Sequence, residues 1–237
     1  MSPEFKIEVA GQDALIIYFS KKMSAETSTI VQQAQLLIKQ KLSNEIIDLI
    51  PSYASVLVVF NLFKVDHLKI TNKLERLLKE LQINNETQGA LIELPVYYSI
   101  ESGPDLLTIS DHTKLPIEQI IAIHQQQEYR VYAIGFAPGF AYLGEVDERI
   151  AIPRLSTPRM KVPKGAVAIA DRQTAVYPGI SPGGWNIIGL CPIDMFVVNK
   201  TATMPIQVGD RVMFKAVSQD EFFALGGILD GQLGKND

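Results

Sequence analysis

Between Val131 and Gly189 the sequence gathers Arg149, Arg154, Arg159, Lys161, Lys164 and Arg172, and from Arg149 to Arg172 it sets them against a single acid, Asp171. The chain as a whole carries 22 basic and 26 acidic residues, a formal net charge of -4, so this is a local reversal of sign. A small positive patch on an acidic protein suits a small anion better than a nucleic acid, whose backbone calls for extended basic faces. A solvated basic loop edge accounts for the same residues without a ligand, and both readings stand at this level. Five aromatic residues, Phe136, Phe140, Tyr142, Tyr177 and Trp185, sit among the glycines of the same stretch. Each reads first as core, with Trp185 the exception, because it follows Gly183-Gly184 and can wall a pocket.

The elements that would position these residues are short. Eight of the chain's 16 glycines and six of its 13 prolines fall between Val131 and Gly189, a density that breaks helices. Between them Ala166 to Ala170, Thr174 to Tyr177 and Trp185 to Leu190 read as brief strands joined by tight turns. Pro138-Gly139, Pro178-Gly179 and Pro182-Gly183-Gly184 supply fixed φ beside permissive backbone, which makes stiff loops. Short strands and stiff loops describe a small barrel or sandwich that holds a site on its loops.

Several familiar chemistries are excluded. Gly179-Ile-Ser181-Pro-Gly183 matches G-x-S-x-G, but the residue after the serine is Pro182, which has no N–H to serve as an oxyanion donor, and β-like sequence follows where a helix is required. Neither G-x-x-x-x-G-K-[ST] nor G-x-G-x-x-G is present. His67, His112 and His124 have no metal-ligand spacing and no adjacent cysteine, so no metal is expected. The single cysteine, Cys191, allows no internal disulfide and reads as a small buried hydrophobe.

Upstream, the pattern is that of an α+β domain over residues 1–92. Phe5 to Val9 and Ala14 to Phe19 read as a hairpin, and Ser24 caps a helix whose buried face is Ile30, Ala34, Ile38 and Leu42. Strands follow at Ile46 to Ile50 and Ser55 to Phe60, then a helix from Asp66 with Ile70, Leu74, Leu77, Leu78 and Leu81 as its stripe. A polar turn over Asn84 to Gly89 leads to a last strand, Leu91 to Tyr98, whose Pro95 puts it at an edge or at a domain crossing. Two helices over a mostly antiparallel sheet is ferredoxin-like. Residues 93–237 begin with helices opened by Pro104 and Pro116, the second presenting His124 on its apolar face, and continue into the glycine-rich stretch. Strands at Ile193 to Asn199, Ile206 to Val208 and Arg211 to Val217 complete the barrel, and a capping box at Ser218 and Glu221 starts a final helix that Gly226 ends.

The bulk properties agree with a soluble globular chain: 47% hydrophobic, 20% charged, mean hydropathy +0.12 and pI near 5.5. No apolar run reaches membrane-spanning length, and Met1 to Gly11 lacks the basic and apolar regions of a signal peptide, so a cytoplasmic location is expected.

The segments GFAPGFAYLG (Gly135 to Gly144), TPRMKVPKGAVAIA (Thr157 to Ala170), QTAVYPGISPGGWNIIG (Gln173 to Gly189) and Glu101 to Leu106 closely resemble the allophanate hydrolase subunit 1 family, which includes the B component of bacterial 5-oxoprolinase and a sporulation kinase inhibitor. Ser99-Ile100, Asp171 and Ala175 depart from the glycines of that pattern. The resemblance implies a cyclophilin-like β-barrel over residues 93–237. It implies ATP, used at the level of a complex with a related barrel-type C component and a separate A component, for hydrolysis of 5-oxo-L-proline to L-glutamate. A lactam is an unreactive amide, and activating its oxygen calls for cations near phosphate. On this reading Arg159, Lys161 and Lys164 bind anionic oxygens, Gln173 and Thr174 orient the substrate, and Phe136, Phe140 and Trp185 form the walls. The alternative the family offers is a non-catalytic inhibitor that docks on a sensor histidine kinase.

Overall fold

Alternation of apolar and polar residues makes the first strands, and capping side chains start the first helices. The computed structural model describes residues 3–22, 24–83, 89–198 and 204–229, and the chain divides into two compact units, Met1–Gly89 and Ala90–Asp237. In the first, strands β1 (Lys6–Val9), β2 (Ala14–Tyr18), β3 (Ile46–Pro51) and β4 (Ser55–Phe60) form an antiparallel sheet in the order β1-β2-β4-β3. Helix α1 (Ala25–Leu42) is capped by the Ser24 side chain, which accepts from the Thr27 N–H, and α2 (His67–Lys79) by Asp66, which accepts from the Lys69 N–H. Their apolar stripes, Ile30, Ala34 and Ile38 on one and Ile70, Leu74 and Leu78 on the other, share a core with Leu15, Ile17, Val56, Val58 and Phe60. The helices therefore cover one face of the sheet.

The strand expected to close this first domain belongs to the second unit. Strand β5 (Leu91–Val96) runs parallel to β13 (Arg211–Ala216), with Leu91 opposite Arg211 and Val96 opposite Ala216. It is the end strand of a seven-stranded sheet, where Pro95, lacking an N–H, is tolerated. The others are β6 (Tyr129–Ile134), β7 (Ala141–Gly144), β9 (Ala166–Ala170), β10 (Gln173–Val176) and β12 (Asn186–Leu190), in the order β12-β9-β10-β7-β6-β13-β5. Just past β5, Tyr97 and Leu190 exchange backbone hydrogen bonds of 2.9 and 3.0 Å, so the last strand meets the first and the sheet is nearly closed. A two-stranded ribbon, β8 (Arg159–Val162) with β11 (Ser181–Gly183), lies outside that order.

Helices α3 (Leu106–Thr113) and α4 (Ile117–Gln126) pack on one side of the sheet. On β9 the pleat sorts residues by size: Val167 and Ile169 join the core beneath these helices, while Ala166, Ala168 and Ala170 face the rings of Phe140, Tyr177 and Trp185. Alanines on that face leave room for rings. Helix α5 (Gln219–Ala224) starts from a complete Ser218–Glu221 capping box, and Phe222 joins the aromatic side.

Two expected strands are corrected. From Ile193 to Val198 and from Ile206 to Val208 the described backbone is irregular, and Asn199 lies outside the described residues, as do residues 84–88 of the expected turn from Asn84 to Gly89. Ile193, Ile206 and Val208 still pack on the core, but Pro192 and Pro205 bound these runs and cannot donate to a ladder.

Candidate functional site

The rings of the glycine-rich stretch gather around Phe140. Its centroid lies 5.3 Å from Phe136, 4.9 Å from Tyr142, 5.2 Å from Tyr177 and 5.7 Å from Trp185, all near edge to face. Phe140, Tyr177 and Trp185 are buried, each such side chain contributing roughly 1.5 to 3 kcal/mol to folding. Phe136 differs, with a φ of 75° and 66% exposure. A left-handed phenylalanine costs about 1 to 2 kcal/mol, and here it holds a ring at the surface. Together with Arg154, Pro182, Gly183 and Gly184, these five aromatics line a cleft of about 110 Å³. An added Cβ at Gly183 would collide with the Tyr177 hydroxyl, so glycine is what keeps the cleft open there.

Of the residues expected in a site, the structure brings Phe136, Phe140 and Trp185 together. Arg159 borders the same place, since it is paired across the ribbon with Gly183. Its guanidinium is not free: Nη2 donates to Asp105 Oδ1 at 2.5 Å, while Asp105 Oδ2 accepts the Ile187 N–H at 2.7 Å. Lys161 is exposed, two residues along β8 and outside the cleft lining. Lys164 turns to a second cavity of about 350 Å³, also lined by Cys191, Phe222 and Ile228, and pairs there with Asp194 at 2.6 Å. Gln173 is half-buried on β10, outside the lining of either cavity.

Thr174 is fully buried, and its hydroxyl serves the interior. It donates to the Ala168 carbonyl at 3.0 Å and lies 3.1 Å from His124 Nε2. With its proton committed to a carbonyl, the hydroxyl accepts from Nε2–H. His124 Nδ1 is then the acceptor for the Tyr98 O–H at 2.8 Å. The chain Tyr98, His124, Thr174, Ala168 thus ties the segment just after β5 to α4, β10 and β9 inside the unit. Burial pushes the His124 imidazole down from 6.5 to about 3, so it is a neutral spacer rather than a base for surface chemistry.

The expected positive patch is largely neutralised. Arg149 pairs with Asp147, Arg159 with Asp105, Lys164 with Asp194, and Arg172 with both Glu145 and Glu148. Arg154 is the exception in the cleft: its guanidinium lies over Trp185, 5.6 Å from the ring centroid. Sequence reasoning assigned no site role to Arg154, Tyr142, Tyr177 or Asp105. Arg154 and the tyrosines were visible as members of the basic and aromatic runs; Asp105 lies in the Glu101 to Leu106 motif, but its pairing carries no local signal, because its partners are 54 and 82 residues away.

Cys191 is buried and its thiol is pushed up to about 12 by that burial, which makes it inert at neutral pH. Among the described residues no group of three His, Cys, Asp or Glu is placed to hold a metal ion, and no helix is long and apolar enough to cross a membrane.

Residues 5–206 match the model of the carboxyltransferase domain, subdomain C and D. The chain belongs to that family. Within it, the chain is 35% identical to the B component of 5-oxoprolinase from Bacillus subtilis, over 94% of this chain and 98% of the relative. It is 42% identical to the protein of the same name from Haemophilus influenzae, over 67% of this chain and 74% of that one. The crystal structure of TTHA0988 is similar with a TM-score of 0.77 and 31% identity; the alignment covers 86% of this chain but only 40% of the other. The kinship expected from the motifs is thereby shown, and the aromatic cleft is a feature of a carboxyltransferase-domain chain.

Proposed function

We propose that this chain is the B component of an ATP-dependent 5-oxoprolinase, acting in the cytoplasm with a related barrel-type C component and a separate A component to hydrolyse 5-oxo-L-proline to L-glutamate. The observation that carries this reading is the 35% identity to the Bacillus subtilis B component of 5-oxoprolinase, over 98% of that protein's length. In this reading the nearly closed sheet of Ala90–Asp237 is a cyclophilin-like barrel, and Met1–Gly89 is a ferredoxin-like layer.

The cleft supports the reading on the substrate's side. An apolar cavity of about 150 Å³ holds a benzene ring, so an aromatic-walled cleft of about 110 Å³, open at the surface, is on the scale of one five-membered lactam. Phe136, Phe140 and Trp185 form its walls, and Lys161, exposed on the adjoining β8, supplies positive charge toward an oxygen on which charge develops, Arg159 being held by Asp105. A nucleotide is a different matter, since pockets for molecules of that size run from about 300 Å³ upward. Arg159, the basic residue that borders the cleft beside Arg154, is engaged by Asp105, so the cleft does not fit a triphosphate. We therefore assign ATP to the level of the complex, outside this cleft.

Reconstitution tests the proposal. The purified chain should show no turnover of 5-oxo-L-proline, and mixing it with the A and C components should yield ATP-dependent glutamate. Turnover by the chain alone at the rate of the mixture, or a mixture equally active without it, would remove the assignment.

A further inference from the structure

We propose that Arg154 is the specificity residue of the aromatic cleft, recognising the carboxylate of a small ring whose body packs between Phe136, Phe140, Tyr142, Tyr177 and Trp185. This deepens the oxoprolinase reading and rests on it for the identity of the ring, but the geometry is independent of that name.

Arg154 is held in place from both sides. The carbonyl of Pro153, just before it, accepts from Asn186 Nδ2 at 2.9 Å, and Asn186 is itself buried and also donates to the Ile169 carbonyl. Just after it, the Leu155 N–H donates to the Gly184 carbonyl at 2.7 Å. The backbone at Arg154 is thus bonded to the turn and strand that carry Trp185, which sets the guanidinium over the indole face. A cation–π contact uses the charge of a guanidinium and not its N–H donors, which remain able to donate to a ligand. Those donors, in a fixed fork, match the two oxygens of a carboxylate.

The distribution of charge points the same way. The four other arginine and lysine side chains that pair in this region spend their charge on Asp105, Asp147, Asp194, Glu145 and Glu148, whereas Arg154 makes no ion pair among the described residues and lines the cleft. The tyrosine at its side adds no opposing charge: burial pushes the Tyr177 phenol up, so it stays neutral. A cleft with apolar walls and one uncompensated cation in its lining attracts a ring that bears one negative charge. 5-Oxo-L-proline is such a molecule; 2-pyrrolidone has the ring without the carboxylate, and acetate the carboxylate without the ring.

The chain's single tryptophan is Trp185, so its fluorescence reports on this cleft alone. Titrating the full chain, 5-oxo-L-proline should change that signal saturably, while 2-pyrrolidone and acetate each bind at least about tenfold more weakly. Replacing Arg154 by Gln should weaken 5-oxo-L-proline by about 10- to 100-fold, the range for a hydrogen bond to a charged group, and leave 2-pyrrolidone unchanged; Arg154→Lys should recover part of the loss. In the reconstituted complex, Arg154→Gln should raise KM for 5-oxo-L-proline by a similar factor with kcat nearly unchanged. Equal binding of 5-oxo-L-proline and 2-pyrrolidone, no saturable response to 5-oxo-L-proline, or an active complex whose KM ignores Arg154→Gln would overturn the inference. An inactive complex together with carboxylate-dependent binding at Trp185 would instead sink the oxoprolinase reading and leave the role of Arg154 standing.

Discussion

Arg159 and Asp105 are 54 residues apart in the chain, and their side chains meet at 2.5 Å. Asp105 is buried and its second oxygen holds the Ile187 N–H of β12, so one carboxylate joins the start of α3, the outer ribbon and the main sheet. Arg159, with 31% of its side chain exposed, is therefore structural as well as close to the cleft. A basic residue on a glycine-rich loop reads from sequence as free to be replaced; here it is a strand residue whose loss leaves a buried acid unpaired.

Asp105→Ala should lower stability by about 3 kcal/mol, since removing one member of a buried pair costs roughly 3 to 5 and Arg159 keeps some solvent. Denaturant unfolding of the full chain measures it. Asp105→Asn, which can still accept from the Ile187 N–H, should lose less. A loss below about 0.5 kcal/mol for the alanine variant would mean that the pair is an ordinary surface contact.

Lys161 separates charge from folding as Arg159 cannot. It is exposed on β8, so Lys161→Ala should leave the unfolding midpoint where it is. If it stabilises charge developing on the lactam oxygen, kcat of the reconstituted complex should fall on the order of 100-fold. Full activity in this variant would take Lys161 out of the site.

Gly183 tests the cleft itself. A methyl group there meets the Tyr177 hydroxyl, and overpacking of this kind costs about 1 to 3 kcal/mol. Gly183→Ala should displace Tyr177, fill part of the cleft and abolish the Trp185 response to 5-oxo-L-proline, with a far-UV spectrum like that of the native chain. Pairing the change with Tyr177→Phe, which removes the hydroxyl in the way, should restore part of the binding. Unaltered binding by Gly183→Ala would show that the ligand does not reach this wall.

His124 gives stability a pH dependence of known sign. It titrates near 6.5 when exposed and is pushed down to about 3 by burial. As pH falls below 6.5 the unfolded chain takes up a proton that the folded chain refuses until about 3, so this group lowers stability through that window by about 1.4 kcal/mol per pH unit. Above 6.5 it is neutral in both states and adds no slope. His124→Gln should be less stable at neutral pH, having lost the Tyr98 or Thr174 bond, but its unfolding free energy should fall less steeply on acidification. Parallel curves for the two proteins would show that the imidazole accepts a proton in the folded state.

The local elements were legible because local physics sets them. Ser24 and Asp66 each cap a helix within three residues, the Ser218–Glu221 box starts another, and the alternation of β9 follows from the two-residue period of a strand. The motifs of the glycine-rich stretch were likewise enough to place the chain in its family, and the aromatics among them did converge on one cleft. Pairing over long separations was not legible, because nothing in the vicinity of a residue encodes its distant partner. Only the folded chain shows that Leu91–Val96 lies beside Arg211–Ala216, that Thr174 turns inward to His124, and that Arg159 spends its charge on Asp105 while Arg154 keeps its own over Trp185. A run of six basic residues fixes how much positive charge a segment carries; which of them remains available to a ligand is decided by where the acids of the rest of the chain are folded against it.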